Sequence, residues 1–261
     1  MSIRVPTPAI PDRVYRVPPR RDGGATRYWS DTHWGHARIL LLCDRPFASV
    51  EAMNAALLAA CLTADGEGAR LVHAGDIAWR SWRETVPVLP PLVHAAEHVL
   101  LVGNHDAALA HVEAVSADGD AEPGVPLLVP ATGRLPDAWS TYVEVGRPRA
   151  TEWSGWFGRI IGAPEPGVWC RYGLLLDDVL DGRPVSVLVT HAPSPDLCGA
   201  DVNLHGHLHD NWDRAPEGHA AAYPFLATSG AHFNASVERT GYQPRTLQWI
   251  ADAQRARGGR P

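Results

Sequence analysis

No two cysteines in this chain are spaced for a zinc ribbon or a disulfide framework: Cys43, Cys61, Cys170 and Cys198 stand far apart and form no C-x-x-C pair. Reduced thiols in a cytosolic setting are therefore expected. Residues 1–24 mix proline, arginine and small side chains without an apolar stretch, so no secretory leader is expected. Nor is any uninterrupted apolar run long enough to cross a bilayer. A soluble, cytoplasmic protein with no membrane partner is expected. Basic charge is short as well, with 23 Lys and Arg against 29 Asp and Glu and a formal charge of -6. That balance gives no footprint for a strongly basic nucleic-acid binder, although a local patch can hide inside an acidic average. Internal repeats and low-complexity linkers are missing too.

Apolar residues, at 45% of the 261, suffice for a substantial core. The length fits one large domain. Residues 1–25 read as a loose arm and 251–261 as a frayed tail, bracketing a domain at 26–250. Within it, about 107–183 reads as an insertion rich in proline, glycine and tryptophan. Four of the ten tryptophans (Trp139, Trp153, Trp156 and Trp169) fall there. Short apolar runs predict strands at 26–30, 71–74, 99–102, 185–190 and 202–204, with later ones at 223–228 and 246–250. Ser49 is an N-cap candidate for a helix through Met53, Leu57, Leu58 and Leu62. A second helical stretch at 81–96 is interrupted by Pro87, Pro90 and Pro91.

Several of these strands stop at polar residues of metal-ligand type. In chain order they are Asp31-x-His33, Gly75-Asp76, Gly103-Asn104-His105-Asp106, His191 and Gly206-His207-x-His209. Sites in open α/β folds gather beyond the carboxyl ends of strands, where loops converge on a fixed scaffold. Carboxylates, an amide oxygen and imidazoles, with no thiolate, suit Mn, Fe, Zn, Ni or Co better than Ca or a soft copper site. Residues two apart on extended backbone share a side, so one metal can draw a ligand from each of the pairs Asp31/His33 and His207/His209. The glycines before Asp76, Asn104 and His207 permit sharp turns and close backbone approach.

Taken together, the five blocks resemble the calcineurin-like metallophosphoesterase superfamily over roughly residues 28–209. Ser30-Asp-Thr-His-Trp-Gly-His36 and Cys43-Asp-Arg-Pro-Phe47 resemble a bacterial and phage-type branch of it; Asn234-Ala-Ser-Val-Glu238 and Gly241-Tyr-Gln-Pro244 do so more loosely. The resemblance implies an α/β fold, a four-layer αββα sandwich of two mixed sheets flanked by helices. It implies two divalent ions. Asp31, His33, Asp76 and His209 would hold one, and Asp76, Asn104, His191 and His207 the other, with Asp76 bridging. His105 would stand beside the site without ligating, and Asp106 would orient it.

Two divalent ions, two carboxylates and a bridging hydroxide sum to about +1, a charge that suits a phosphate anion. Ions ~3.5–4 Å apart depress the pKa of a shared water toward neutrality. Attack of that hydroxide on phosphorus, with His105 stabilising or protonating the leaving oxygen, would hydrolyse a phosphate mono- or diester. A small, nucleotide-like substrate is expected. The alternative is a nuclease of the same superfamily acting on DNA or RNA, which the acidic average weighs against. A non-catalytic scaffold is the remoter alternative, because such relatives are expected to lose ligands and none is missing.

Other residues near the motifs have two readings each. Asp106 orients His105 or caps a helix at 107–112, two roles that are compatible. His36 and Arg38 reach the substrate phosphate or face solvent. Arg45 binds a phosphate or carboxylate, or forms a structural salt bridge, the latter favoured. His73, on a buried strand, reads as a satisfied core histidine, and His205 as a core neighbour of the ligand run. The tryptophan-rich insertion is a lid stacking a nucleobase on Trp153, Trp156 or Phe157, or else a satellite core or an oligomer contact using the same aromatics; packing is favoured because tryptophan most often packs.

Overall fold

Short apolar runs with few side chains to spare for solvent form the strands expected of them. The structure, a computed structural model, describes residues 10–11, 13–17, 19–20, 23–66, 68–77, 98–101, 103–105, 159–161, 172–210 and 223–258. The chain first forms β1 (Arg13–Arg16), β2 (Thr26–Trp29), α1 (Ile39–Leu42), α2 (Val50–Gly66), β3 (Arg70–His73), β4 (His98–Leu101) and β5 (Arg159–Ile161). It continues with β6 (Tyr172–Leu180), β7 (Arg183–Thr190), β8 (Val202–His205), a 3-10 turn (Pro224–Ala227), β9 (His232–Asn234), α3 (Val237–Thr240) and α4 (Leu247–Ala256). The helical stretch expected at 81–96, Asp106, the tryptophans of the insertion and Phe157 lie outside the described residues.

Two sheets result. One has the order β1-β6-β7-β8-β9 and is mixed: β6 and β7 are antiparallel, and the other neighbours are parallel. The other, β2-β3-β4-β5, is parallel throughout its described strands. Tyr28, Val72, Val99 and Leu101 from the parallel sheet join Leu174, Leu176, Val187, Val189, Leu204 and Phe233 from the mixed one in a single buried cluster. Leu247, Ile250 and Ala251 of α4 belong to the same cluster. Each such side chain contributes about 1.5–3 kcal/mol relative to leaving it in water. The fold is the α/β sandwich of two sheets flanked by helices that the resemblance implies.

Local chemistry explains the helices and turns. Ser49 caps α2, accepting the Ala52 amide at 3.2 Å. Met53, Leu57, Cys61 and Ala64, at helical spacing, form its buried face, whereas Leu62 is exposed. Leu180 and Arg183 pair across a two-residue Asp181-Gly182 loop, with both residues at positive φ (51° and 72°). That is the hairpin geometry an Asp-Gly pair favours.

Several expectations are corrected. Arg13–Arg16, inside the stretch read as an arm, pair with Tyr172–Leu175 as an edge strand held by backbone hydrogen bonds. Residues 246–250 are not a strand but open α4, capped by Thr246 through the Trp249 amide. Leu247, Ile250, Ala251 and Gln254 line its buried face, so the helix carries the core past the point read as a frayed tail. Residues 223–228 hold the 3-10 turn Pro224–Ala227 with its two caps rather than a strand, Pro224 standing at its start. Among the described residues, no helix is long and apolar enough to cross a membrane.

Strand direction fixes where the ligand-type residues gather. β2, β3 and β4 run the same way, as do β7, β8 and β9, and the loops leaving their carboxyl ends meet. Leu204→Ala, at a fully buried site shared by both sheets, is expected to lower the unfolding free energy by about 2–5 kcal/mol. Leu41→Ala, at an 88% exposed site, is expected to stay within about 0.5 kcal/mol of the parent. Urea unfolding midpoints measure both, and equal effects would contradict the assignment of the core.

Candidate metal centre

Beyond β2 the chain stays paired with the loop beyond β3. The Asp31, His33 and Trp34 amides donate to the carbonyls of Gly75, Asp76 and Ile77 at 3.0, 3.0 and 2.8 Å. The backbone here is not extended. Asp31 (φ 58°), His33 (50°), Asp76 (56°), His207 (68°) and His209 (50°) all adopt the left-handed region. This corrects the expectation that x-spaced pairs share a side because they lie on a strand. They converge because left-handed turns aim them, at a cost of about 1–3 kcal/mol per residue. Glycine is required where the loops touch. A Cβ on Gly75 (φ 97°) would lie 2.6 Å from His191 Nδ1, and one on Gly206 would run into Ser30 and the Asp31 carboxylate.

The structure brings all seven expected ligands together in two adjoining groups. In the first, His33 Nε2 lies 3.3 Å from His209 Nε2 and 3.5 Å from Asp76 Oδ2, and His209 Nε2 lies 3.6 Å from Asp31 Oδ1. In the second, His191 Nε2 is 3.4 Å from Asp76 Oδ1, and Asn104 Oδ1 is 3.0 Å from both His191 Nε2 and His207 Nδ1. Asp76 thus turns one oxygen to each group. Donor atoms of Asp31, His33 and His209 lie within 4.8 Å of one another, as do those of Asp31, Asp76 and His191.

Protonation geometry tests whether a cation fits. His191 Nδ1 donates to the Ala74 carbonyl at 2.8 Å, and His209 Nδ1 donates to Glu238 Oε1 at 3.0 Å. When neutral, each ring presents an Nε2 lone pair to side-chain oxygens, Asp76 Oδ1 and Asn104 Oδ1 beside His191 and Asp31 Oδ1 beside His209. Lone pairs facing lone pairs in a buried place need positive charge between them, and this mixture of nitrogen and oxygen donors suits divalent metals.

The titration behaviour is consistent with that need. Burial alone would depress His191, but the Asp76 carboxylate, its hydrogen bond and Asp31 outweigh it and push the imidazole up to about 9. Burial likewise opposes a charged His209, and Glu238 and Asp31 reverse this and raise it. Burial acts to raise the Asp76 carboxyl, yet His191, His33 and His105 hold it well below the ordinary range. Asp31 is raised by burial against the pull of His209 and His191. Hydrogen bonds help both carboxylates: the His207 amide and the Ser236 hydroxyl reach Asp31 Oδ2 at 2.9 and 3.0 Å, and the His105 amide reaches Asp76 Oδ1 at 2.8 Å.

Around the candidate ligands, the remaining expectations divide. His105 stands at the rim, its side chain 36% exposed and Nε2 3.8 Å from Asp76 Oδ2. Arg45 is not available to substrate. It is buried and bonded to Glu238 at 2.7 Å, the salt bridge favoured in the sequence. His36 is also buried, its ring 5.5 Å from that of His33, and burial lowers it to about 4. Arg38 is exposed beside it. His73 is a satisfied core residue, with Nε2 2.9 Å from Thr32 Oγ1, and His205 is buried and held down to about 3 by burial. Glu238, Ser236 and Asn234 escape sequence reasoning as site residues, although they lie in a string that the resemblance touches. Asn234 donates to the His209 carbonyl at 3.0 Å.

The family model for calcineurin-like phosphoesterases matches residues 29–211. No curated protein matches the chain. A solved structure of a protein of unknown function from Aquifex aeolicus is similar at 19% identity and a TM-score of 0.48, over 88% of this chain and 99% of that one.

Proton release and a glycine substitution both test the geometry. His191 is raised from an ordinary 6.5 to about 9. Its pairing with Asp76 therefore stabilises the metal-free protein fully below about pH 6.5, and that contribution is lost as pH rises through about 9. A divalent ion must displace that proton, so Mn2+ binding at pH 8 is expected to release protons, seen as a calorimetric enthalpy that varies with buffer ionisation. A buffer-independent enthalpy would contradict it. Gly206→Ala is expected to abolish Mn2+ binding while Gly230→Ala, whose Cβ would meet nothing within 4 Å, retains it; equal affinities would show that the close approach is dispensable.

Proposed function

The chain belongs to the calcineurin-like phosphoesterase family, and from that premise we propose that it is a dinuclear metal-dependent phosphoesterase. On this reading it hydrolyses phosphate mono- or diesters, with a small nucleotide-like molecule as substrate. The observation that carries the reading is the convergence of seven donor side chains from five loops, with Asp76 turned to both groups. Divalent ions held there would supply Lewis-acid charge and bring water to a nucleophilic state near neutral pH.

The chain's own residues do the rest. Asp31, His33, Asp76 and His209 hold the first cation position; Asp76, Asn104, His191 and His207 hold the second. Asp31, His33, Asp76 and His191 are buried while Asn104, His207 and His209 are partly open to solvent, and the Ala74 carbonyl keeps the His191 ring in one orientation. His105 is the imidazole with an open face. Burial lowers it despite the neighbouring Asp76, so it is mostly neutral at pH 7 and able to hydrogen-bond an oxygen. Its place at the rim fits contact with the leaving oxygen of an ester rather than with a metal.

The test uses p-nitrophenyl phosphate and its bis-ester with Mn2+. Cleavage of at least one is expected, and a pure protein that binds no divalent ion and cleaves neither would overturn the proposal. His105→Ala is expected to keep the bound metal and lose about 100-fold or more in kcat, the usual scale for a positioned acid or base. His207→Ala is expected to lose metal as well as activity. Equal metal loss in the two variants, measured by elemental analysis, would remove the division of roles.

A further inference from the structure

His191 and His209 differ in what holds the nitrogen turned away from the cation positions. His191 Nδ1 meets a neutral backbone carbonyl, that of Ala74. His209 Nδ1 meets Glu238 Oε1, a carboxylate oxygen in a side chain only 4% exposed. The same oxygen accepts Arg45 Nε at 2.8 Å and the Arg45 guanidinium again at 2.7 Å. Arg45 then uses its other donors on the carbonyls of Asp31 at 2.6 Å and Thr32 at 2.9 Å. Those carbonyls belong to the left-handed turn that carries Asp31 and His33. One buried ion pair therefore touches the His209 imidazole and the loop supplying its two neighbours.

A buried ion pair roughly breaks even against apolar packing, so stability alone gives little reason for this one. Its geometry gives another. A carboxylate hydrogen-bonded to the far nitrogen of an imidazole fixes the tautomer and makes the near nitrogen a better donor. We infer that Glu238 is the positioning residue of the first cation position. It holds the Nδ1 proton of His209, so Nε2 presents its lone pair beside Asp31 and His33, and Arg45 locks that carboxylate to the turn. The inference rests on the two-cation reading of the centre. Its consequence is lopsided: losing the Glu238 charge weakens the first position and spares the second, whose His191 is oriented by backbone.

Mn2+ titration of the full chain, followed by calorimetry and by metal content after dialysis, tests it on the parent and on Glu238→Gln. The parent is expected to hold two ions. Glu238→Gln is expected to keep one at the parent's affinity and bind the other about 10–100-fold more weakly. Two ions at parental affinity, or equal weakening of both in a folded variant, would overturn the inference. A parent that binds no ion would instead overturn the reading of the centre, a separable result. Where Glu238→Gln does not fold, the long-range 1H–15N spectrum of the Zn2+-loaded parent decides. His209 protonated at Nδ1 with a metal-shifted Nε2 is expected; the opposite tautomer would overturn it.

Discussion

Asp76 places a negative charge inside the protein at the place where the two sheets meet. A carboxylate stripped of water costs several kcal/mol unless opposite charge and hydrogen bonds replace the water. The replacement comes from both sheets. The His105 amide and rim imidazole arrive on the loop after β4, His191 on the loop after β7, and His33 on the loop after β2. Asp31, equally buried, draws the His207 amide, the Ser236 hydroxyl and His209 from the mixed sheet. Each carboxylate is thus a fixed point around which strands of separate sheets must end in register. Without a cation, protons on His191 and His209, the two imidazoles that the carboxylates raise, offset the negative charge.

That demand explains features that look costly in isolation. Left-handed backbone at five of the candidate ligands departs from what aspartate and histidine prefer, and it persists because neighbouring loops overdetermine it. Amides of one loop pair with carbonyls of the next, Gly206 lets the chain pass against Ser30 and Asp31, and Arg45 grips the carbonyls of the turn from below. The apolar cluster between the sheets supplies the stability, and the site draws on it.

Much of this is legible in the sequence, because ligand-type residues stand at the ends of short apolar runs and glycines precede three of them. The runs form strands close to where they are expected, and Ser49 marks a helix start. Other parts carry no such signal, or a misleading one. Trp249 and Ile250 look β-prone, yet the spacing of Leu247, Ile250, Ala251 and Gln254 is helical and decides in favour of α4. The hairpin of β6 and β7 has a signal in Leu180-Asp181-Gly182-Arg183, but composition alone assigns that stretch to the insertion. β1 owes its place to backbone hydrogen bonds with β6, which no side-chain pattern encodes. Glu238 meets His209 across a separation of 29 residues, so its role depends on tertiary placement. Arg45 is readable as a salt-bridge residue, while its partner is not.

Everything proposed for the centre requires its two groups of donors to hold two cations close enough to act together. Electron paramagnetic resonance of the protein loaded with Mn2+ tests this, since ions ~3.5–4 Å apart through a shared carboxylate couple magnetically. At two equivalents of Mn2+, the multiline spectrum of an exchange-coupled pair is expected. The six-line spectrum of isolated ions at that loading, or no bound Mn2+ at all, would refute a shared centre.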